Sequence, residues 1–219
     1  MLLKSSSIPA ALQSTRVLTL AVLLGAVGWG HGATAASHGP VTSLVEVRQR
    51  NVVVQKWDLS CGAAALATLL TYQHGDPVSE REVALGMINR EEYLADPSLV
   101  QKREGFSLLD LERLAASRGY KGIGYGQLTF DHLLAKAPII IPVQLYGFNH
   151  FVIFRGMASD RVLLADPAFG NRTMTRDRFE QAWIESPELG HVGFVVVRRD
   201  GLIPPNRLAP QLDEFLALQ

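Results

Sequence analysis

The apolar periodicity of this chain changes once, and that change constrains the fold more than any single motif. The first part carries helical patterns. Residues 61–72 are rich in Ala and Leu, with Ser60 or Asp58 as a cap and His74-Gly75-Asp76-Pro77 as a stop. Residues 79–89 open with Ser79 and Glu82 at capping-box spacing, and residues 107–118 place Leu108, Leu111 and Leu114 on one face before Gly119. Residues 129–137 predict a shorter helix, while the charged stretch 90–105 has no clear pattern. From Pro138 onward the runs shorten and turn to Ile, Val and Phe: 138–145, 150–155, 161–165 and 192–198, with one helix at about 176–185. Turn residues separate them, notably Tyr146-Gly147-Phe148-Asn149 and Ala158-Ser159-Asp160. Gly124 and Gly126 stand in a possible further strand and predict a bulge. Helices first and strands second predict an α+β domain, an N-terminal helical half packed on a C-terminal antiparallel sheet.

The two ends read differently from this middle. In residues 1–35, Lys4 and Arg16 flank a polar stretch, an apolar run follows at 17–27, and Ala33-Thr34-Ala35 supplies an A-x-A site. That is the pattern of a secretory signal peptide, and the run falls well short of the roughly 20 residues that span a bilayer. A periplasmic location is therefore expected, with membrane contact only through this segment if it stays uncleaved. Residues 36–46 read as a flexible lead-in, 47–200 as the folded domain, and 201–219 as a proline-rich tail with an amphipathic end. The whole chain balances 21 basic against 21 acidic residues, and residues 1–35 hold two of the basic ones and no acid. So near-neutral a chain offers no electrostatic footprint for nucleic acid.

The single cysteine, Cys61, is unusual in a chain with an export signal, since exported proteins mostly pair their cysteines. It stands where a loop enters the first helix, a position that stabilises a thiolate through free backbone N–H groups and the helix dipole. Thiolate attack on a carbonyl also needs a base, a group to orient that base, and donors for the oxyanion. His150 opens a strand-like run, and Asp166 ends the next one before Pro167, so two adjacent antiparallel strands can set them side by side. Gln55 is close enough to fold back and offer its amide beside the Cys61 N–H. Each residue taken alone has a plainer reading: a buried small hydrophobe, a core histidine, a turn carboxylate. Trp57, Tyr146 and Phe148 flank the motifs as candidate cleft walls for substrate. His191 is the rival base, without an acidic partner on a neighbouring strand. The scattered histidines show no metal-ligand spacing, and no metal or cofactor is expected.

Together these residues resemble the bacteriocin-processing (double-glycine leader) cysteine peptidases. Gln55, five intervening residues and Cys61-Gly62 are similar to that family's nucleophile motif. Asn149-His150-Phe151-Val152 with Asp166-Pro167 resembles its second motif, and Gly105-Phe106-Ser107-Leu108-Leu109-Asp110-Leu111 its middle region. The resemblance covers residues 47–198. It implies a papain-like fold with Cys61 as nucleophile, His150 as base, Asp166 as its orienting partner and Gln55 as oxyanion donor. The chain has no transporter segment, and Ser60 replaces the acidic residue often found before the nucleophile. It is more similar to stand-alone exported members, including those beside functional-amyloid (Fap-type) secretion systems. The expected partner is then a protein or peptide substrate, such as a co-exported amyloid subunit or a secretion-system component. Two other functions stay open on the same residues: another thioester acyl transfer, and a non-catalytic cleft that holds a secretion substrate.

Overall fold

The computed structural model of the protein describes residues 42–218. The expected signal peptide, residues 1–35, lies outside the described residues. The segment expected as a flexible lead-in ends within a helix, α1 (Leu44–Gln49), which starts at a reciprocal Ser43–Glu46 capping box.

The helical half is built around α2 (Cys61–Thr68), every residue of which is buried, and the chain runs on through Leu69–Gln73 as a π-helical turn ended by His74. Its alanines leave room for neighbours on all sides, as suits a helix apolar around its whole circumference. Against it lie α3 (Glu80–Ile88), with the Ser79–Glu82 capping box, and α6 (Leu108–Ser117), capped by Ser107 and Asp110. The stretch without a pattern forms two short helices, α4 (Glu91–Ala95) and α5 (Leu99–Lys102).

The sheet comprises β1 (Tyr120–Tyr125), β2 (Ile139–Leu145), β3 (Phe148–Ala158), β4 (Arg161–Asp166), β5 (Gly170–Thr175) and β8 (Gly193–Arg198), in the order β1-β8-β2-β3-β4-β5. All its pairings are antiparallel, and β6 (Glu185–Ser186) with β7 (Gly190–His191) forms a separate two-stranded piece. Successive side chains alternate faces. Ile140 and Ile153 therefore enter the core under α2 and α3, whereas Ile139, Ile141, Val152 and Phe154 face a second core. That second core is closed by α7 (Phe130–Lys136) and α8 (Arg176–Ala182), which contribute Leu133 and Phe179. Burial on both faces explains why β2 reads as an unbroken apolar run rather than an alternation.

The bulge expected at Gly124 and Gly126 is not there. Gly124 pairs in regular register with Phe194, and the irregularity falls in β3, between Phe154 and Gly156. Gly156 has φ +154°, and a Cβ on it would stand 2.6 Å from the Pro210 ring. The missing side chain lets the residues beyond β8 lie against the strand.

Those residues are anchored by charge. Arg155, buried on β3, donates to the Leu208 carbonyl at 2.9 Å and to Asn171 Oδ1 at 2.7 Å. It forms a two-pronged pair with Glu214 of α9 (Leu212–Ala217) at 2.7 and 2.9 Å. Asn171 in turn donates to the carbonyls of Val47 and Arg50, so α1 and α9 are both tied to the same edge of the sheet. Removing one partner of a buried pair leaves the other charge uncompensated. Glu214→Ala should therefore lower the unfolding free energy by about 3–5 kcal/mol in urea titrations. A loss below 1 kcal/mol would show that the anchor bears no load.

Candidate active site

Cys61 is the first residue of α2. Ser60 sits at the N-cap, but its hydroxyl makes no cap bond to the helix, so the first turn keeps its backbone N–H groups free of a side-chain acceptor. The preceding residue, Leu59, has φ +65°, an uncommon conformation for a leucine, and it turns the chain sharply into the helix. A second loop presses on this turn. Gly105 has φ +125°, and a Cβ there would meet the Leu59 carbonyl oxygen at 3.0 Å. The Gly105-Phe106-Ser107 stretch thus packs against the nucleophile turn, with Phe106 in the core beneath it.

His150 lies on β3 and Asp166 at the end of β4, and the antiparallel pairing of these strands brings them together across 16 residues of sequence. His150 Nε2 is 2.7 Å from Asp166 Oδ1. With Nε2 engaged there, Nδ1 is left for the Cys61 thiol, which lies within hydrogen-bonding reach. Asp166 has no exposed surface. Oδ1 also accepts from the Ala168 N–H at 2.8 Å, and Oδ2 faces the Arg172 guanidinium at 3.4 Å.

The electrostatics follow from these contacts. Burial pushes the Cys61 thiol up, but hydrogen bonding to His150 and to the backbone of Phe151, with the His150 charge, holds it below the ordinary thiol value. Burial likewise disfavours a charged His150, yet Asp166 and Cys61 raise its pKa to about 9. Burial alone would raise Asp166, and His150, Ala168 and Arg172 reverse that, keeping the carboxyl below its usual value. The three groups together stabilise a thiolate–imidazolium pair beside a carboxylate.

Cys61, His150, Asp166 and Gln55 all line one cleft of about 480 Å³. Gln55 is held by its backbone N–H on the Pro167 carbonyl at 2.8 Å, and its Nε2 donates to the Trp57 carbonyl at 3.2 Å. One amide proton of Gln55 remains for the cleft, and its Oε1 is buried with no partner among the described residues. Tyr146 and Phe148 form the expected wall at the β2–β3 hairpin, whose two-residue turn has φ +55° at Tyr146 and +84° at Gly147. Trp57 does not line this cleft. Its carbonyl accepts from Gln55 Nε2, and the residue lines an adjoining pocket of about 280 Å³ with Leu85, Ile88 and Phe106.

Phe169, which lines the cleft, and Arg172, which stands behind its wall, escaped the sequence reading. Arg172, on β5 beside β4, reaches both Asp166 and the Tyr146 hydroxyl, the latter at 3.1 Å. Phe169 packs near Tyr146, with ring centroids 6.1 Å apart, and the Arg172 guanidinium lies against both rings. A clue was present in sequence, since a turn after Asp166-Pro167 must send the chain back alongside β4. The polar run Gly170–Thr175 hid the strand. His191 is stacked on Trp183 at 4.1 Å and bonds the Ile184 carbonyl, away from the residues lining the cleft. Among the described residues no group of three or more His, Cys, Asp or Glu is gathered in metal-binding fashion.

Comparison with known proteins agrees with this geometry. The model of the Peptidase C39 family matches residues 49–186. A protein of Pseudomonas fluorescens named probable functional amyloid protease FapD is 38% identical over 173 residues, covering 76% of this chain and 74% of that protein. Its namesake in Pseudomonas aeruginosa is 36% identical over 143 residues, covering 65% of this chain and 61% of that protein. Among solved structures, a double glycine motif protease from an AMS/PCAT transporter, in complex with the leader peptide, superposes with a TM-score of 0.53. It shares 23% identity, covering 67% of this chain and 90% of that one. The peptidase domain of Streptococcus ComA gives 0.52 at 16% identity, covering 68% and 98%. These likenesses establish the α+β papain-like fold. The expected periplasmic location is corrected by the same comparison, because the transporter's protease acts from the cytoplasmic side.

The ionisation pattern predicts a pH window. His150 holds its proton below about 9, so the thiolate–imidazolium pair should persist up to that pH and be lost as pH rises through it. Asp166→Asn removes the largest influence raising His150. The alkaline limb of the pH–rate profile should then move down from about 9 toward the ordinary imidazole value of about 6.5. An alkaline limb that stays in place in the variant would exclude Asp166 as the source of the shift.

Proposed function

The chain belongs to the Peptidase C39 family and is a cysteine peptidase, and we propose that its catalytic unit is Cys61, His150 and Asp166 with Gln55 as oxyanion donor. The observation that carries this reading is the 2.7 Å contact of Asp166 with His150 Nε2, which leaves Nδ1 for a buried thiol at a helix start. In the reaction, Cys61 Sγ attacks the scissile carbonyl as the thiolate, and the oxyanion rests on the Cys61 N–H and the Gln55 amide. Collapse of the tetrahedral intermediate breaks the C–N bond, and the His150 imidazolium gives its proton to the leaving amine. Neutral His150 then takes a proton from water. The hydroxide formed in that step cleaves the thioester, and the thiolate–imidazolium pair is restored.

The substrate is a protein or peptide. Its finer identity belongs to this proposal: a secreted subunit of the functional-amyloid type. The reading is supported by 38% identity to a protein named probable functional amyloid protease. The cleft agrees with it in kind, being walled by the exposed aromatics Tyr146, Phe148 and Phe169.

Cys61→Ala should abolish cleavage of a purified amyloid-subunit precursor, a loss of several powers of ten in rate, while far-UV circular dichroism is unchanged. Iodoacetamide should label wild-type Cys61 rapidly well below the free-thiol value of about 8.5, and His150→Ala should remove that advantage. Undiminished cleavage by the alanine variant would overturn the proposal.

A further inference from the structure

We propose that Glu80 is a positioning residue for the oxyanion site: a buried carboxylate that holds the 55–60 loop so that the Gln55 amide faces the cleft. Glu80 is the first residue of α3 and is 4% exposed, an unusual place for an acid. Neither of its oxygens bonds its own helix. Both accept from the Lys56 backbone N–H at 3.0 Å, and Oε1 accepts from the Ser60 hydroxyl. One side chain therefore clamps the residue after Gln55 and the residue before Cys61.

The clamp reaches Gln55 through Trp57. The Trp57 carbonyl lies 2.6 Å from Ser60 Oγ and accepts from Gln55 Nε2 at 3.2 Å. Ser60 has a single hydroxyl proton and faces two acceptors. The hydroxyl sits between the two, so Glu80 fixes its place and, through it, that of the Trp57 carbonyl. The Trp57 carbonyl has two lone pairs, and beside Ser60 it accepts from the Gln55 amide. Glu80 thus sets the direction of the Gln55 amide without touching it. This role is separate from thiol activation, which runs through His150 on the sheet side of the cleft and involves no atom of Glu80.

The proposal rests on the reading of Gln55 as oxyanion donor, and the two can be told apart. Alkylation of Cys61 by iodoacetamide needs the thiolate but no oxyanion site, whereas peptide hydrolysis and hemithioacetal formation with a peptide aldehyde need both. Glu80→Ala should lower kcat on a cleavable peptide about 10- to 100-fold. It should weaken aldehyde inhibition in parallel, and leave KM and the alkylation rate within about twofold of wild type. Glu80→Gln should recover most of the turnover, because its amide can accept from the Lys56 N–H and donate to Ser60 Oγ. Equal losses in alkylation and turnover would overturn the proposal, since they would mean a displaced nucleophile. Lost turnover in Gln55→Ala with full turnover in Glu80→Ala would also overturn it, while full turnover in Gln55→Ala would bring down the oxyanion reading beneath it. Should Glu80→Ala fail to fold, Ser60→Ala removes one of the links, and unchanged turnover and aldehyde affinity there would overturn the proposed route.

Discussion

A carboxylate with no exposed surface stays charged only where fixed partners replace its water. Asp166 has such partners on both oxygens, and the rest of the site is arranged by the way they are supplied. The backbone N–H of Ala168 comes from the turn that follows it, His150 from the adjacent strand, and Arg172 from the strand beyond. The His150 and Arg172 contacts depend on strand register. A slip of one residue between β3 and β4 would carry the His150 side chain to the opposite face and leave the charge stranded. Sheet register and active-site ionisation are therefore one constraint expressed at two scales.

The proposed nucleophile comes from the other layer. Cys61 and Gln55 belong to the helical half and its entry loop, His150 and Asp166 to the sheet, and the cleft runs along the seam. Two loops fix the seam from the helical side. Gly105 admits the Leu59 carbonyl at close range, and Glu80 ties the ends of the 55–60 loop together. From the sheet side, the Pro167 carbonyl holds the Gln55 backbone. His150 and Asp166 are thus set against each other within the sheet, while alignment of the thiol with that pair depends on packing between layers.

Much of this was legible in the sequence. The Ser79–Glu82 capping pair, and the leucine spacing of 108, 111 and 114 before Gly119, place two helices almost to the residue, because such boundaries are decided locally. The apolar runs that become β2, β3, β4 and β8 were visible for the same reason that buries them. What escaped was set by distant contacts. β5 is polar and sits at an edge, where the apolar signal is weakest. The bulge falls at Gly156 rather than Gly124 because Pro210, far along the chain, lies against it. Glu80 reads as an ordinary acid in the first turn of a helix, and only the folded loop shows its carboxylate turned inward. Trp57 stands close to Cys61 in sequence, yet in the fold it lines the adjoining pocket and not the cleft.

The anchor between Arg155 and Glu214 has a consequence for how the molecule comes apart. The pair spans 59 residues, and its guanidinium sits on the strand that carries His150. Closing so long a loop costs entropy that grows only slowly with length, whereas a buried guanidinium stripped of its partner costs several kcal/mol. Intermediate states with the strand in place and α9 adrift are therefore penalised by the stranded guanidinium, which outweighs the chain entropy they regain. Release of α9 is thereby coupled to the strand that carries His150, so the far end of the chain and the cleft hold together through one side chain.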